Sequence, residues 1–240
     1  MSEELHHVIV TIDGPAGSGK STTARLVAEK LGFTYLDTGA MYRAIALKAL
    51  EEGIDVTRPD LLGEMADRTQ VAIEADPRGT RVMLDGRDVT DMLRRPEVSR
   101  SASPVSAAKR VRERMVELQR EIGKLGPIVA EGRDIGSVVF PDAAVKIYLD
   151  AGLSCRAARR TKELEAAGTM VDQASIETEI RARDERDSTR ENSPLVVPRG
   201  AVIIDSTNLT IEQQVGRVIE EVRRVASQEG GAASTGGPVR

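Results

Sequence analysis

The sequence has only one cysteine, Cys155, among its 240 residues. A single cysteine excludes an internal disulfide and fits a reducing compartment. Long hydrophobic runs are also lacking near the start, where the polar MSEELHH leads into an apolar stretch of five residues, 8–12. That stretch is too short for a signal sequence or a membrane span. We therefore expect a cytoplasmic protein without a membrane partner.

An excess of positive charge is missing as well. The chain has 34 lysines and arginines against 38 aspartates and glutamates, a formal net charge of −4. This balance gives no overall bias toward nucleic acid, and we expect no nucleic-acid partner. The composition is that of an ordinary globular protein, and 240 residues can bury a substantial core without a disulfide or an oligomer. We therefore expect a monomer.

Lysine is scarce relative to arginine, with 7 lysines against 27 arginines. The arginine fork matches phosphate and carboxylate groups in a bidentate way. A coding bias explains most of these arginines, so only those inside recognisable motifs are considered as site residues.

Short apolar runs bounded by glycine, proline or aspartate recur along the chain, and such runs suit strands buried on both faces of a parallel sheet. The predicted strands are 8–12, 33–36, 128–130, 143–149 and 201–204. Helical patterns alternate with them at 20–31, 40–51, 105–125, 153–167, 176–186 and 211–225. The alternation predicts a doubly wound α/β core.

Two segments depart from this rhythm. Residues 68–90 contain QVAIEA and TRVMLDG, which alternate apolar and polar residues around the turn signal DPRG. They predict an antiparallel hairpin within a small insert at 60–100, which leaves 1–59 and 101–227 as the core. Residues 228–240 are rich in glycine without an apolar period, and we expect a disordered tail.

The segment GPAGSGKST, residues 14–22, matches the pattern G-x-x-x-x-G-K-[ST] completely. VIVTID supplies a buried strand before it and STTARLVAEKL a helix after it, as the motif requires. Backbone N–H groups of such a loop point at phosphates, Lys20 should reach the β- and γ-phosphates, and the Ser21 hydroxyl should bind Mg²⁺. The predicted ATP contacts are Gly14, Pro15, Ala16, Gly17, Ser18, Gly19, Lys20, Ser21 and Thr22.

The loop alone does not identify the reaction, because GTPases, ATPases, kinases and non-catalytic ATP binders all use it. The guanine-reading pattern N-K-x-D does not occur in the sequence, which argues against a GTPase. A kinase that acts on a small phosphorylated acceptor needs fixed positive groups close to the γ-phosphate. The choice between a kinase and an ATP binder therefore depends on an acceptor site.

Two motifs offer such positive groups near helix or strand ends. In LDTGAMYR a predicted helix begins near Gly39 and carries Arg43 one turn in, over a possible phosphate position. The alternative is that Thr38 is a helix N-cap and Arg43 a solvated side chain. In IVAEGRDIGSVVF, Arg133 and Asp134 follow a buried strand at its carboxyl edge, where open α/β sheets bind ligands, or they form an ion pair that closes a loop.

A third motif, RARDERDSTR, has helical spacing. The spacing of three or four residues puts Arg183, then Arg186 or Asp187, and then Arg190 on one side of a helix. Because acidic residues are interleaved, a salt-bridged solvent-exposed helix is the alternative.

Taken together, IDGPAGSGKSTTARLVAEKLGFTYLDTGAMYRAIA, VAEGRDIGSVVFPDAAVKIYLDA, RDERDSTR with PLV after it, and VIIDSTNLTIEQ resemble the bacterial cytidylate kinases. The resemblance covers about residues 7–225, in order and at the family's spacings. D-[ST]-G-A-x-Y-R, and G-R-D-x-G with F-P-D-A, mark this family among nucleoside monophosphate kinases. Thr38 stands where the family commonly has serine, and it keeps the hydroxyl.

The resemblance implies a P-loop nucleoside monophosphate kinase fold: a central five-stranded parallel sheet with helices on both faces, a small antiparallel β insert on the acceptor side and a helical lid. The lid is expected near 156–171, where Arg156, Arg159 and Arg160 could close over ATP or form a solvated face. The implied reaction is ATP- and Mg²⁺-dependent phosphorylation of CMP and dCMP. A kinase for UMP or dTMP, and a non-catalytic ATP binder, are the alternatives.

The resemblance also assigns roles to matching residues. Arg43 and Arg133 would grip the acceptor phosphate and, with Lys20, count as catalytic, while Arg159 would contact ATP. The implied CMP-binding residues are Thr38, Gly39, Arg43, Ser103, Arg112, Arg133, Asp134, Arg183, Asp187 and Arg190. Among them, Ser103, Arg112, Asp134 and Arg190 would surround the cytosine, and Arg183 and Asp187 the sugar.

Overall fold

The computed structural model describes residues 8–76, 79–166 and 168–233. Its strands are β1 (Ile9–Asp13), β2 (Thr34–Asp37), β3 (Val71–Asp76), β4 (Gly79–Leu84), β5 (Arg87–Asp88), β6 (Ile128–Gly132), β7 (Val145–Asp150) and β8 (Val202–Asp205). Its α-helices are α1 (Lys20–Leu31), α2 (Thr38–Glu51), α3 (Pro59–Arg68), α4 (Pro96–Ala107), α5 (Lys109–Gly123), α6 (Leu153–Ala166), α7 (Gln173–Thr189) and α8 (Ile211–Ala233). A 3₁₀ turn (Thr90–Arg94) and a π-helical turn (Ile135–Val139) complete the order.

The central sheet has five parallel strands in the order β2-β6-β1-β7-β8. All five come from the apolar runs that predicted them. Along β6, Ile128 and Ala130 pack into one apolar cluster and Val129 into the other, so the strand is buried on both faces. This confirms the doubly wound α/β core.

Helices cover both faces of this sheet. One cluster contains Met41 and Ile45 of α2 and Met115 of α5, and the other contains Val27 of α1 and Val218 of α8. Since every crossover runs between parallel strands, the carboxyl ends of all five strands meet at one edge. The register pairs Asp13 with Gly132 and Asp37 with Glu131 at that edge. The edge is where a ligand site of an open α/β sheet forms.

The predicted hairpin is confirmed. β3 and β4 pair antiparallel, with Val71 opposite Leu84, and β5 adds a short third strand. The inward side chains Val82 and Leu84 belong to the same apolar cluster as α2, so the insert is packed onto the core.

Helix boundaries around the insert differ from the prediction. No helix is predicted at 59–68, but α3 begins with Pro59 at its first turn and buries Leu62 and Met65 on one face. The single helix predicted at 105–125 is wrong, because α4 begins at Pro96 and ends before Ala108, and α5 follows. Ala108 has extended backbone angles (φ −66°, ψ 117°), which interrupt the helix between two otherwise continuous apolar patterns.

The end of the chain also differs from its prediction. α8 continues to Ala233, six residues into the segment 228–240 that the sequence analysis expected to be disordered. Extending a nucleated helix adds one hydrogen bond for each residue fixed, so a helix can continue past Val222, the last buried side chain among those described up to residue 228. Residues 234–240 lie outside the described residues.

The segment predicted as a lid, 156–171, contains most of α6 and the connection to α7. These two helices pack on each other around a small apolar cluster of Ala157, Ile176 and Ile180, separate from the two main clusters. In the described parts of the chain, no helix has the length and apolar character needed to cross a membrane.

Candidate active site

The phosphate loop, residues 14–22, joins β1 to α1 at the carboxyl edge of the sheet. Its glycines adopt backbone angles that other residues rarely reach, with φ of 148° at Gly14 and 98° at Gly19. A Cβ at position 14 would lie 2.1 Å from the Leu149 carbonyl oxygen, and one at position 19 would lie 2.8 Å from the Gln214 amide oxygen. The loop therefore requires glycine for both conformation and close packing.

The Gly14→Ala variant is expected to lower the free energy of unfolding by at least about 2 kcal/mol, because its methyl group meets a strand carbonyl that cannot move aside. Urea unfolding measures the loss. Gly216→Ala is the matched control: it lies within α8, where a Cβ meets no atom within 4 Å, and it should be neutral or slightly stabilising. Equal stability of the two variants would contradict the tight packing of the loop.

Lys20 is buried above this loop. Its Nζ donates to the Pro15 carbonyl oxygen at 2.7 Å and to Ser18 Oγ at 3.4 Å. Burial and the nearby Arg133 lower the pKa of Lys20 to about 7, while Glu131 opposes the shift. A bound phosphate would favour the charged ammonium and reverse much of this shift. The loop therefore has the position and charge to receive a polyanion.

Side chains from distant segments brace the phosphate loop. Arg159 of α6 donates to the Ser18 carbonyl oxygen (3.2 Å) and to the Ser206 carbonyl oxygen (2.6 Å), and Ser206 Oγ also donates to the Ser18 carbonyl oxygen (2.9 Å). Arg156 donates to the Ala16 carbonyl oxygen and pairs with Asp184. Arg159 thus lies at the predicted ATP loop, in contact with its backbone, whereas Arg160 pairs with Glu163 on the exposed face of α6.

The motif LDTGAMYR forms the end of β2 and the start of α2. Asp37, not Thr38, caps the helix: its carboxylate accepts from the Ala40 N–H at 2.8 Å and pairs with Arg43 at 2.7 Å. The alternative in which Thr38 is the N-cap is therefore wrong. Thr38 Oγ1 instead donates to the Glu131 carbonyl oxygen at 2.7 Å, which ties α2 to the end of β6. Gly39 lies against the Arg43 guanidinium in the first turn of α2.

Glu131 was not among the site residues predicted from the sequence. Its buried carboxylate accepts from the Tyr35 hydroxyl at 2.9 Å. Burial and the nearby Asp37 raise the pKa of Glu131, whereas Lys20 and a hydrogen bond with Ser21 act in the opposite direction. Its position directly before Gly132-Arg133 was visible in the sequence, but a glutamate at the end of an apolar strand has no local pattern that marks it as a site residue.

The residues present fit Mg²⁺ held partly by a nucleotide. The exposed Ser21 hydroxyl lies beside the Glu131 carboxylate, and Mg²⁺ prefers oxygen ligands. Among the described residues, no group of three histidine, cysteine, aspartate or glutamate side chains could hold a metal ion. Mg²⁺ commonly uses one or two protein oxygens together with substrate phosphates, and this donor set suits that arrangement.

Beyond the phosphate loop lies a group of ion pairs, buried except for Arg183, which is half-exposed, and here called the arginine cluster. Its members are Arg112, Arg133, Asp134, Arg183, Asp187 and Arg190. Four arginines face two aspartates, which leaves a net charge of +2 and an affinity for an anion.

One half of the arginine cluster centres on Asp134. Arg112 of α5 donates to one carboxylate oxygen and Arg190 to the other at 3.4 Å, and all three side chains are at most 8% exposed. Arg112 also stacks on the Tyr42 ring, 5.4 Å from its centroid. Arg112 Nε has no hydrogen-bond partner within the described chain, so a buried donor is left for a ligand.

The other half centres on Asp187 of α7. Arg133 Nε donates to its carboxylate at 2.9 Å, and Arg183 lies 3.9 Å from the same oxygen. Burial opposes ionisation of Asp187, but Arg133 and Arg183 outweigh it and hold the pKa below its usual range. A solvated salt-bridged helix does not describe α7, because Asp187 is buried and its partner Arg133 comes from the loop after β6.

The structure thus brings most of the predicted acceptor residues together, and Arg133 and Arg183 are close enough to Lys20 to lower its pKa. Ser103 is less central: it is buried in α4, and its Oγ accepts from Arg186 Nε at 3.4 Å rather than from a member of the arginine cluster. Tyr42 and Asp184 were missed in the sequence, although both lie inside motifs that were quoted.

Comparison with known proteins agrees with this geometry. The family model for cytidylate kinase matches residues 10–224. A cytidylate kinase from Pelotomaculum thermopropionicum is 49% identical over 214 residues, covering 89% of this chain and 95% of the relative. Another from Caldanaerobacter subterraneus is 48% identical over 217 residues, covering 90% and 95%.

Among solved structures, a gluconokinase from Sinorhizobium meliloti has a TM-score of 0.51 at 14% identity, covering 94% of this chain and 97% of its own. At that identity the likeness concerns the fold alone. The family match, in contrast, runs from β1 and the phosphate loop through the arginine cluster to α8, and nearly half of the aligned residues are identical in the relatives. The chain belongs to the cytidylate kinase family.

Proposed function

We propose that the chain transfers the γ-phosphoryl group of ATP to CMP and dCMP, in a Mg²⁺-dependent reaction that gives ADP and the nucleoside diphosphate. The observation that carries this proposal is the arginine cluster next to Lys20, with a net charge of +2. A protein that only binds ATP has no need for a second cationic site so close to Lys20 that its arginines lower the pKa of that lysine. The relatives named cytidylate kinase identify CMP as the acceptor.

In the proposed donor site, residues 14–22 cradle the ATP phosphates and Lys20 follows the migrating phosphoryl group. When bound, Mg²⁺ would neutralise charge on the β- and γ-phosphates, with Ser21 as its protein ligand and Glu131 beside it. Arg159 would act at the same loop, either through its present backbone contacts or directly on ATP.

In the proposed acceptor site, Arg43 and Arg133 hold the CMP phosphate. Each is paired with one aspartate, Asp37 and Asp187 respectively, so each guanidinium is pre-oriented and keeps further N–H donors. Arg183 and Asp187 would contact the sugar. Ser103, Arg112, Asp134 and Arg190 would surround the cytosine, and Thr38 and Gly39 would line the phosphate side.

Catalysis requires no protein nucleophile in this proposal. The attacking atom is a phosphate oxygen of CMP, the bond that forms joins it to the γ-phosphorus, and the bond that breaks releases ADP. The protein contributes positioning and charge neutralisation, through Lys20, Arg43 and Arg133. Residues 156–171, most of α6 and the segment after it, would form the lid that excludes water. The insert at 60–100 would flank the acceptor. We propose a cytoplasmic monomer acting in pyrimidine metabolism.

A panel of monophosphates tests the proposal. With ATP and Mg²⁺, ADP formation is measured in the presence of CMP, dCMP, UMP, dTMP, AMP or GMP. We expect CMP and dCMP to stimulate ADP formation most, and omission of Mg²⁺ to abolish it. Preference for UMP or dTMP would make the chain a kinase for another monophosphate, and no stimulation by any of them would favour the non-catalytic ATP binder.

A further inference from the structure

Asp13, the last residue of β1, is completely buried and directly precedes Gly14 of the phosphate loop. Its two carboxylate oxygens accept hydrogen bonds from two consecutive backbone amides in the segment that follows the neighbouring strand β6. Oδ1 accepts from the Ile135 N–H at 2.8 Å, and Oδ2 accepts from the Gly136 N–H at 2.7 Å. The carboxylate therefore links two loops that are more than 120 residues apart in the sequence.

The amides that Asp13 binds begin the π-helical turn Ile135–Val139. The first turn of a helix has N–H groups without intrahelical partners, and the residue before this one, Asp134, makes no capping bond with its side chain. The Asp134 carboxylate is instead engaged by Arg112 and Arg190. Asp13 thus supplies the acceptors for these amides, because the Asp134 carboxylate is already bound to the two arginines.

Arg133 and Asp134 stand immediately before this turn and point to different partners, Arg133 to Asp187 and Asp134 to the two other arginines. Space around the turn is tight, because a Cβ at Gly136 would lie 2.7 Å from Thr11 Oγ1 of β1. A displacement of the turn would therefore move both side chains at once. The β1–β6 ladder, which pairs Asp13 with Gly132, and the two hydrogen bonds to the Asp13 carboxylate hold the turn beside the phosphate loop.

Retaining a charge at this position has a cost for the fold. Burial raises the pKa of Asp13 to about 6, although the two amide hydrogen bonds oppose the shift. The charged or titratable groups that face it are Asp134 in the turn, Lys20 on α1 and Tyr148 on β7. Since the folded pKa lies above the ordinary value, this group favours folding most in acid, and that contribution is lost as the pH rises through about 6. The stability of the fold therefore does not explain why a carboxyl group that ionises at neutral pH lies at this buried position.

We infer that Asp13 is a positioning residue. It fixes the π-helical turn, and with it Arg133 and Asp134, relative to the phosphate loop and so aligns the acceptor with the γ-phosphate. This inference rests on the proposed function. Covalent attachment to Gly14 on one side and two charge-assisted hydrogen bonds on the other make Asp13 a short link between donor and acceptor loops. A small misplacement of reacting groups has large effects on rate, which gives such a link a role in catalysis.

Asp13→Asn tests the link with almost no change in volume. The amide keeps one acceptor oxygen but turns an NH₂ group toward one of the two N–H donors. We expect KM for CMP to rise about tenfold and kcat to fall, while KM for ATP changes by less than about twofold and Tm is retained. Asp150→Asn is the matched control: it makes the same change at the end of the neighbouring strand β7, where the carboxylate accepts from the next amide, of Ala151. Asp150→Asn should leave kcat, KM for CMP and KM for ATP unchanged.

A measurement on the unmodified protein avoids any folding defect of the variant. In ¹⁵N-edited spectra, the amide signals of Ile135 and Gly136 should titrate with an apparent pKa near 6, and in Asp13→Asn this titration should vanish. Ile135 and Gly136 amide signals that Asp13→Asn leaves unchanged at every pH would overturn the inference, as would equal rises in KM for ATP and CMP or an Asp150→Asn variant as impaired as Asp13→Asn. Failure of the wild type to phosphorylate CMP would refute the proposed function, and the link itself would still be decided by the response of the Ile135 and Gly136 amide signals to Asp13→Asn.

Discussion

Lys20→Ala is expected to lower kcat for CMP phosphorylation by about 10³-fold, because the variant lacks a positive charge at the migrating phosphoryl group. Lys20 is the cation that the structure holds directly over the phosphate loop, at 2.7 Å from the Pro15 carbonyl oxygen. Steady-state ADP formation with saturating CMP measures the effect. Near-normal turnover would contradict the assignment of the donor site.

The same variant should be at least as stable as the wild type. Burial lowers the pKa of Lys20 from 10.5 to about 7, so the folded state disfavours its charged form. The stability penalty is absent above the unfolded pKa and grows as the pH falls from about 10.5 toward 7. As the pH falls through that range, the Tm of Lys20→Ala should therefore rise relative to that of the wild type. Lys30→Ala, at the exposed end of the same helix, is the control and should change neither turnover nor this pH dependence.

Asp134→Asn is expected to lower kcat/KM for CMP about 100-fold and to narrow the preference for CMP over UMP. Cytosine presents an amino donor at position 4 beside an acceptor at N3, whereas uracil presents the opposite pattern. A carboxylate can only accept and arginines can only donate, so Asp134 suits the amino group, and Arg112 and Arg190 suit N3 and O2. Each mismatched buried polar group costs about 1–3 kcal/mol.

The structure predicts a larger loss of kcat/KM in this variant than the lost contact with the base alone would cause, because Asp134 is also the counter-ion of two buried arginines. Removing its charge leaves both guanidinium groups without compensation, so CMP binding and Tm should fall together. Arg133→Ala is the comparison: it faces the acceptor phosphate in our proposal and should lower kcat/KM for CMP and UMP by the same factor. Equal losses for both substrates in Asp134→Asn would instead make Asp134 an orienting group for the arginines, and the base contact would have to be sought elsewhere.

The sequence predicted the centre of the sheet well because β1 and β6 are buried on both faces. Runs such as 128–130 consist of apolar residues only, and this pattern depends little on which strands are neighbours. Helix α1 was predicted with its observed bounds, since the phosphate-loop motif fixes its first residue and Gly32 ends it. The break at Ala108 was not predicted, because an alanine gives no local sign of an extended conformation.

Within the candidate site, residues that belong to a motif could be named, but their partners could not. Asp37 displaced Thr38 as the helix cap because a carboxylate can bind both the Ala40 N–H and Arg43, and the sequence offers two good capping residues side by side. Asp13 and Glu131 were overlooked for a different reason: each ends a hydrophobic strand, and its role depends on a loop or strand far away in the chain. Periodicity contains no information on such long-range contacts.

The strand order has a consequence for how the chain folds. β1 has no early neighbour, because it lies between β6 and β7, and the register of β1 pairs Ile9 with Ile128 and Val10 with Val145. Closing loops of this length precedes any gain from pairing, so folding through this strand is slow. During synthesis β1 must wait for both of its partners in the sheet until β6 and β7 have been made. The phosphate loop, although encoded near the start of the chain, can therefore reach its final shape only after well over half of the protein has been synthesised.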